Sequence, residues 1–537
     1  MTNVSLQYDE LIELVAKHLT IEEFVDRITM LGAGHEGTEG SVLTFDIFPN
    51  RPDLYSVEGI ARALRGFLGV EVGPARFPVK AGGIEFLVDK SVEAVRPHAV
   101  GGAVRGVELT DESVASLVAL QEKLHLTLGR RRRKVAIGIH DLDKVAPPFT
   151  YKAVYPNSVR FTPLGIAEEM TLAEILVRHE KGREFGPILA GKPLYPVITD
   201  ANGVVLSFPP VINGIATQLT QDTRNLFIDV TGTDLQAVRT TLTILCTALA
   251  ERGGTIETVT TVFPDRRLLT PDLEPKYRIV DIERANRLLG LSLTPDEAVE
   301  LLRRMRHDAH AQGPKIAVEV PAYRADILHD ADIYEDLGIA FGYDKVPPSL
   351  SRQQTIGEPL AAGEFTNTIR ALMIGYGYLE MMSLATTSAK GAVEGPKPAT
   401  ILNPVGEEFS AIRAGLLAGV LNMLRLNKHR ELPQRVFEIG DVVIDGANVR
   451  RVAAVSIHPK ASFTEMKSLV QSLLRDVGKS CAVEAANDGN YLPGRCAGVF
   501  LEDTRVGVFG EVHPRVIEAY DLAHPIVGFE IDVGPLL

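Results

Sequence analysis

A chain of 537 residues, at roughly 100 to 200 residues per domain, should hold three to five domains. Apolar residues make up 45% and charged residues 23%, and 47 glycines with 32 prolines are too few for a collagen-like or largely disordered polymer. Lys plus Arg is 56 against Asp plus Glu 69, a net charge of −13, which excludes a histone-like coat and leaves a local basic patch or a basic partner to meet any nucleic acid.

The N-terminus, MTNVSLQYDELIELVAKHL, carries acids early and has no basic lead into an apolar run, so it does not read as a secretory signal. No apolar run approaches the ~18 residues needed to cross a bilayer. Cys246, Cys481 and Cys496 are far apart with no C-x-x-C, which argues against a disulfide framework or thiolate zinc site and fits a reducing compartment. A cytoplasmic protein without membrane association is expected. In the first unit Val57, Ile60, Ala61, Leu64 and Leu68 recur at helical spacing, with Gly69 as C-cap. Gly73-Pro74 and Gly82-Gly83 then break the pattern and read as a linker.

From about Ile84 to Phe263 strand-like runs (AVGGAVRGV, KVAIGIHDL, VVLSFPPVI, NLFIDVTG) alternate with helices near Asp111–Leu128 and Asp234–Glu251, as in an α+β domain. The first helix lines up Val114, Leu117, Val118, Leu124 and Leu128 and stops at Gly129. After Pro264 come two short helices, the second opened by Thr294 as N-cap and Pro295 at N1, then the strand KIAVEVPAY and a helix from about Asp330 to Phe341. Pro347-Pro348 closes that unit. The remainder is long enough for one larger domain, with helices EFTNTIRALMIGYG and FTEMKSLVQSLLRDVG among strands RVFEIGDVVI, AGVFLED and RVGVFGEV.

Among the motifs, Gly186 to Lys192 matches G-x-x-x-x-G-K. Pro193 takes the place of the magnesium-binding hydroxyl and Pro196 falls where a helix should run, so a proline-punctuated loop is expected, not a phosphate cradle. Arg130-Arg131-Arg132-Arg133-Lys134 lies between a helix end and a strand, as a solvated cluster favoured by the helix dipole or as a phosphate contact. Asp332, Glu335 and Asp336 fall at i, i+3 and i+4 of the helix from Asp330, which predicts three acids on one outward face. Asp326 can join them as a fourth oxygen ligand, and an all-oxygen set suits magnesium better than zinc; a solvated acidic face is the plainer alternative. The 13 histidines show no zincin spacing, there is no G-x-S-x-G elbow, and His140 reads as structural. Ser207-Phe208-Pro209-Pro210-Val211-Ile212-Asn213 ends an apolar strand in a stiff, polar-tipped loop that can line a pocket or simply turn the chain.

Taken together, FPNRPDL before SVEGIARAL, RRRRKVAIGIHDLDK, SFPPVIN before NLFIDVTGTD, YRADILHDADIYEDLGIAFGYDKV, LNPVGEEFSAIRAGLL and RVFEIG resemble the β subunits of phenylalanyl-tRNA synthetases, in order and over nearly the whole chain. The size is similar to the archaeal or eukaryotic type. The resemblance implies a B1 module and linker at 1–83, a B3/4 editing domain at 84–266, a B5 domain of winged-helix type at 267–348, and at 349–537 a class II synthetase-like antiparallel sheet with helices. The FEIG at Phe437 to Gly440 echoes the motif 2 strand, but no motif 3 follows, so the fold is expected without catalysis. The family assigns activation of phenylalanine to a separate α subunit in an α2β2 assembly that consumes ATP and charges the tRNA for phenylalanine. It also implies Mg2+ on Asp326, Asp332, Glu335 and Asp336, and hydrolysis of mischarged tyrosyl-tRNA by the B3/4 domain, where the loop chemistry nominates Ser207, Pro209 and Asn213. A free-standing tRNA-binding or trans-editing protein, and a noncatalytic scaffold of another complex, remain the alternatives.

Overall fold

Strand-forming segments early in the chain pair into separate sheets, each with its own helices. The computed structural model describes residues 2–350 and 355–537, and the chain divides into two units, residues 1–350 and 351–537. At the N-terminus, Asn3–Gln7, Val42–Asp46 and Gly34–Glu39 form an antiparallel sheet. The helix Val57–Phe67 buries Val57, Ile60, Ala61 and Leu64, as its spacing predicts, and is capped by the Ser56 hydroxyl, which accepts from the Gly59 amide. Gly69 follows at φ +70°, a left-handed position that favours glycine.

The second sheet has ten strands. Its order is 212–213, 205–208, 195–199, 149–154, 79–88, 255–262, 98–105, 225–232 and 135–141, with Arg267–Thr270 added beside 255–262. All pairs are antiparallel except the two made by Val79–Val88. The helix Leu235–Ala250 packs Val238, Leu242 and Leu245 on Val100, Val104, Ile228 and Val230. The strand pattern places Phe86, Phe149, Tyr151 and Phe227 in another core.

This sheet corrects one expectation. Gly82-Gly83 is no linker but the middle of strand Val79–Val88. A Cβ on Gly82 would stand 2.1 Å from the Thr258 carbonyl oxygen, so the glycine is there to let two backbones approach. A glycine pair that reads as a break marks a tight strand contact.

Asp330–Phe341, Ile282–Leu289 and Pro295–Arg304 pack on a three-stranded antiparallel sheet, 276–281, 315–320 and 308–312. Thr294 and Glu297 close a reciprocal capping box at the start of Pro295–Arg304, worth about 1 kcal/mol.

In the C-terminal unit seven strands run in the order 379–380, 434–444, 447–457, 526–532, 504–512, 491–501, 482–485, antiparallel except for the first pair. Alternation sorts the side chains. Phe437, Val452, Ala454 and Phe529 face the helices Ala361–Gly375 and Phe463–Asp476, while Val436, Ala453, Val455 and Ile526 face Leu417–Leu426. Among the described residues no helix is long and apolar enough to cross a membrane.

Candidate functional site

The ten-stranded sheet curls until its two edge regions, 205–213 and 135–141, approach each other. Between them lies a cavity of about 620 Å³, which the helix Asp111–Leu126 and the segments 164–166 and 179–181 also border. Ser207, Pro209 and Asn213, nominated from the loop's chemistry, all line it. The Ser207 hydroxyl is buried without a hydrogen-bond partner. Among the described residues the Asn213 side chain has none either, while its backbone pairs with Ser207 across the turn. Pro209 and Pro210 fix the backbone between them.

The far wall carries polar residues that the sequence did not single out. Asp229 and Thr231 lie on the strand Asn225–Gly232, next to the edge strand Val135–Asp141, and line the cavity. The buried His140 holds Asp229, its Nε2 2.7 Å from Oδ2 and its Nδ1 2.8 Å from the Thr217 hydroxyl. Gly138 lies opposite Asp229, and a Cβ there would meet Oδ2 at 2.0 Å. Thus the glycine, the histidine and the carboxylate are one unit.

The basic run is only partly the solvated cluster it resembled. Arg130, Arg131 and Arg132 have φ values of 47°, 54° and 64°, three consecutive left-handed residues of the kind that cost about 1–2 kcal/mol each. This turn points Arg132 into the protein and leaves Arg130, Arg131 and Arg133 exposed. Arg132 Nη1 donates to the Val211 carbonyl (2.9 Å) and Nη2 to Glu122 Oε1 (2.7 Å), and its guanidinium carbon lies 4.2 Å from the Phe185 ring centre. The same Glu122 oxygen lies 3.2 Å from His125 Nδ1, while His125 Nε2 accepts from the Ile137 amide at 2.9 Å. Burial works against ionising Glu122, but His125 and Arg132 outweigh it and lower its pKa to about 2.

The acidic cluster also departs from expectation. Ile333 and Leu337 enter the core as predicted, but the outward face of three acids does not form: Asp336 is itself buried, its Oδ2 2.6 Å from His307 Nε2 and 2.8 Å from Arg324 Nη2. Asp326 takes the other side of the Arg324 guanidinium at 2.9 and 2.7 Å. Asp332 caps its helix, with Oδ2 accepting from the amides of Leu328 and His329, both at 2.7 Å. Only Glu335 is exposed. Burial first, then Asp336, Asp332 and Asp326, push its pKa up. Among the described residues no group of three or more His, Cys, Asp or Glu side chains is disposed to hold a metal ion, and the Arg324 guanidinium already bridges Asp326 and Asp336. The all-oxygen donor chemistry does fit Mg2+.

The G-x-x-x-x-G-K run holds no phosphate cradle. Gly186–Leu189 is a short 3₁₀ turn, and Lys192 donates to the Ala94 carbonyl at 2.6 Å.

Residues 107–257 match the B3/4 domain, 279–343 the tRNA synthetase B5 domain, and 346–533 the phenylalanyl tRNA synthetase beta chain CLM domain. The phenylalanine–tRNA ligase beta subunit of Methanothrix thermoacetophila is 45% identical, over 99% of this chain and 100% of its own length. The chain belongs to the phenylalanine–tRNA ligase beta-subunit family. The beta subunit of Archaeoglobus fulgidus is 42% identical over 99% of this chain and 98% of its own. Among solved structures, an N-terminal fragment of the Pyrococcus horikoshii phenylalanyl-tRNA synthetase beta subunit matches with a TM-score of 0.61 and 41% identity, covering 63% of this chain and 99% of the fragment. The B3/4 match to this beta-subunit family spans the helix 111–126, the arginine turn, the Ser207–Asn213 loop and Asp229, so the cavity belongs to that domain.

Proposed function

We propose that the chain supports ATP-dependent attachment of phenylalanine to its tRNA by a separate α subunit, and that its cavity hydrolyses tyrosyl-tRNA formed in error. Family membership supports the first part. The second rests on one observation, an open cavity with the unpaired Ser207 hydroxyl in its wall. An apolar synthetic pocket rejects a substrate with one added hydroxyl by only about a hundredfold, which gives a second, hydrolytic site a reason to exist. A polar wall accepts the tyrosine hydroxyl and is left unpaired when phenylalanine enters, a difference that can reach ~10⁴. Ser207 and Asn213 offer that wall on the backbone stiffened by Pro209.

No protein nucleophile is needed. A positioned water attacks the ester carbonyl, the bond to the ribose oxygen breaks, and tyrosine and free tRNA leave. The exposed Arg130, Arg131 and Arg133 face solvent near the cavity and suit the phosphates of the tRNA end. Equal rates of deacylation of tyrosyl- and phenylalanyl-tRNA by the wild-type complex would defeat this reading.

The domain reading follows the family: a B1 module through residue 78, an editing domain that begins with the strand Val79–Val88 rather than at 84 and runs to 266, a winged-helix-type B5 domain at 267–348 and a class II synthetase-like domain at 349–537, in a cytoplasmic α2β2 assembly. In the last domain Glu438 of the FEIG strand is closed by Arg413 (2.6 Å) and Ser383 (2.7 Å), and Arg451 pairs with Glu530 (3.0 Å) and Asp532 (2.5 Å), which supports a fold without catalysis. The chain alone should then show no phenylalanine-dependent diphosphate exchange, and addition of α should restore it. Mg2+ would be held by Asp326, Asp332, Glu335 and Asp336, with Arg324 yielding part of its pairing. The crowding of acids at Glu335 supports this, and Mg2+ should raise the unfolding temperature of wild type but not of the D332A/E335A double variant.

A further inference from the structure

We propose that Glu122 is the receptor for the α-ammonium group of the aminoacyl-tRNA, with Arg132 and His125 as the residues that position it. This rests on the editing reading of the cavity. Glu122 is half exposed, at 49%, and lines the cavity from the helix Asp111–Leu126. Its Oε1 takes both protein partners, Arg132 Nη2 and His125 Nδ1. Because the Ile137 amide must donate to His125 Nε2, the ring proton lies on Nδ1 and is given to Glu122. Two donors thus fix the carboxylate in place. Its Oε2 takes no hydrogen bond or ion pair among the described residues, so an ionised, oriented acceptor is left at the cavity's edge.

The substrate's own shape says what belongs there. A cavity of about 620 Å³ admits an amino-acid side chain but no tRNA, so the side chain goes in first and the ester stays at the mouth. The α-amino group is attached one carbon from that ester and stays with it. Asp229, the other fixed carboxylate of the wall, has a side chain only 1% exposed and shares Oδ2 with His140, which places it at the depth of the substrate's side chain. Glu180 also borders the cavity but has no ion pair or hydrogen bond among the described residues to fix its side chain. A charge-assisted contact is strong only where the acceptor is held, and Glu122 is the held carboxylate of the rim.

The test compares tyrosyl-tRNA with the same tRNA esterified to the matching α-hydroxy acid, in which a neutral hydroxyl of similar size replaces the ammonium group. Full-length chain in complex with α should deacylate the amino ester at least 10-fold more efficiently than the hydroxy ester. In E122Q, which keeps an oxygen for Arg132 and His125, kcat/KM for the amino ester should fall about 10-fold, chiefly through KM. The hydroxy ester should change less than threefold, so the preference collapses. R132K should lower the preference partway by loosening Glu122. Equal use of both esters by the wild type would overturn the proposal, as would an equal loss on both in E122Q. Collapse of the preference in E180Q instead would move the ammonium to that carboxylate and also overturn it. If the wild type deacylates neither ester, the editing reading has failed as well, and that outcome is distinct from the others.

Discussion

Two polar clusters in this chain, the wall of the B3/4 cavity and the Arg413–Glu438–Ser383 group of the C-terminal sheet, use similar residues and end in opposite states. In the sheet every charge meets a protein partner at hydrogen-bond distance, and Glu438 is nearly inaccessible. In the cavity the Ser207 hydroxyl and Arg132 Nε have no partner, and Glu122 spends one oxygen and keeps the other. An unpaired buried polar group costs about 1–3 kcal/mol, so one in the wall of an open cavity stands ready for a ligand to complete it. The difference teaches that a binding site is recognised by what its residues leave unsatisfied more than by which residues they are.

That contrast breaks first if Arg413→Ala is tolerated. Removing it strands Glu438, 2% exposed, so the C-terminal unit should lose about 3–5 kcal/mol in denaturant unfolding while deacylation of tyrosyl-tRNA is unchanged.

The next effect is on pH. Burial holds the His125 ring neutral and lowers its pKa to about 4, against about 6.5 in an unfolded chain. Between those values the unfolded chain takes up a proton that the folded one refuses. The contribution is therefore fully present above pH 6.5 and is lost as the pH falls toward 4, roughly 3 kcal/mol in all. Unfolding midpoints at pH 7.5 and 4.5 should show it, and H125Q should flatten the slope; parallel slopes would refute the assignment.

Ser207→Ala sharpens the comparison from the other side. No protein partner is stranded, so stability should hold or rise by up to about 1 kcal/mol, while deacylation of tyrosyl-tRNA falls about 10-fold or more. A loss of stability without a loss of deacylation would place Ser207 with the closed clusters.

The smallest effect is electrostatic. Charge reversal at Arg130 and Arg131 should raise the KM for deacylation a few-fold and reduce the slope of log KM against log salt by about 0.7 per lost phosphate contact on a single strand. An unchanged slope would return these arginines to the solvated cluster.

Local signals made most elements legible. Thr294, Pro295 and Glu297 announce a helix start by side-chain chemistry that acts within one turn, and period-two alternation sorts the two faces of the C-terminal sheet. The Ser207–Asn213 loop was legible because proline stiffness and polar tips are local properties. What escaped depends on partners distant in sequence. Gly82 is explained only by Thr258, and the order of ten strands is written in no single segment. Asp229 did leave a signal, since an acid inside the apolar run NLFIDVTG is rarely buried unless paired. Arg132 left none, because nothing in RRRR forecasts three left-handed residues. The acids after Asp330 show the reverse error: their spacing does put them near one another, but the Arg324 that draws Asp336 inward, and holds Asp326 beside it, lies outside the helix.

Strand Val79–Val88 lies parallel to Thr255–Val262, and Arg267–Thr270 then folds back along the latter, so the chain comes into the ten-stranded sheet and departs from it at the same end. By path alone the sheet is a cassette that could be lifted out and the cut ends rejoined. By charge it is soldered in. Arg252 reaches out of the cassette to Glu10 and Glu58, and its Glu251 receives Arg65 from the N-terminal helix. Glu58 has a side chain only 7% exposed, so a bare excision would maroon an ion that water cannot reach. A transplant of the editing module into another scaffold must therefore carry the Glu10, Glu58 and Arg65 face with it, together with Arg62, which lies 3.5 Å from Glu251, or replace all six charges by apolar residues at once.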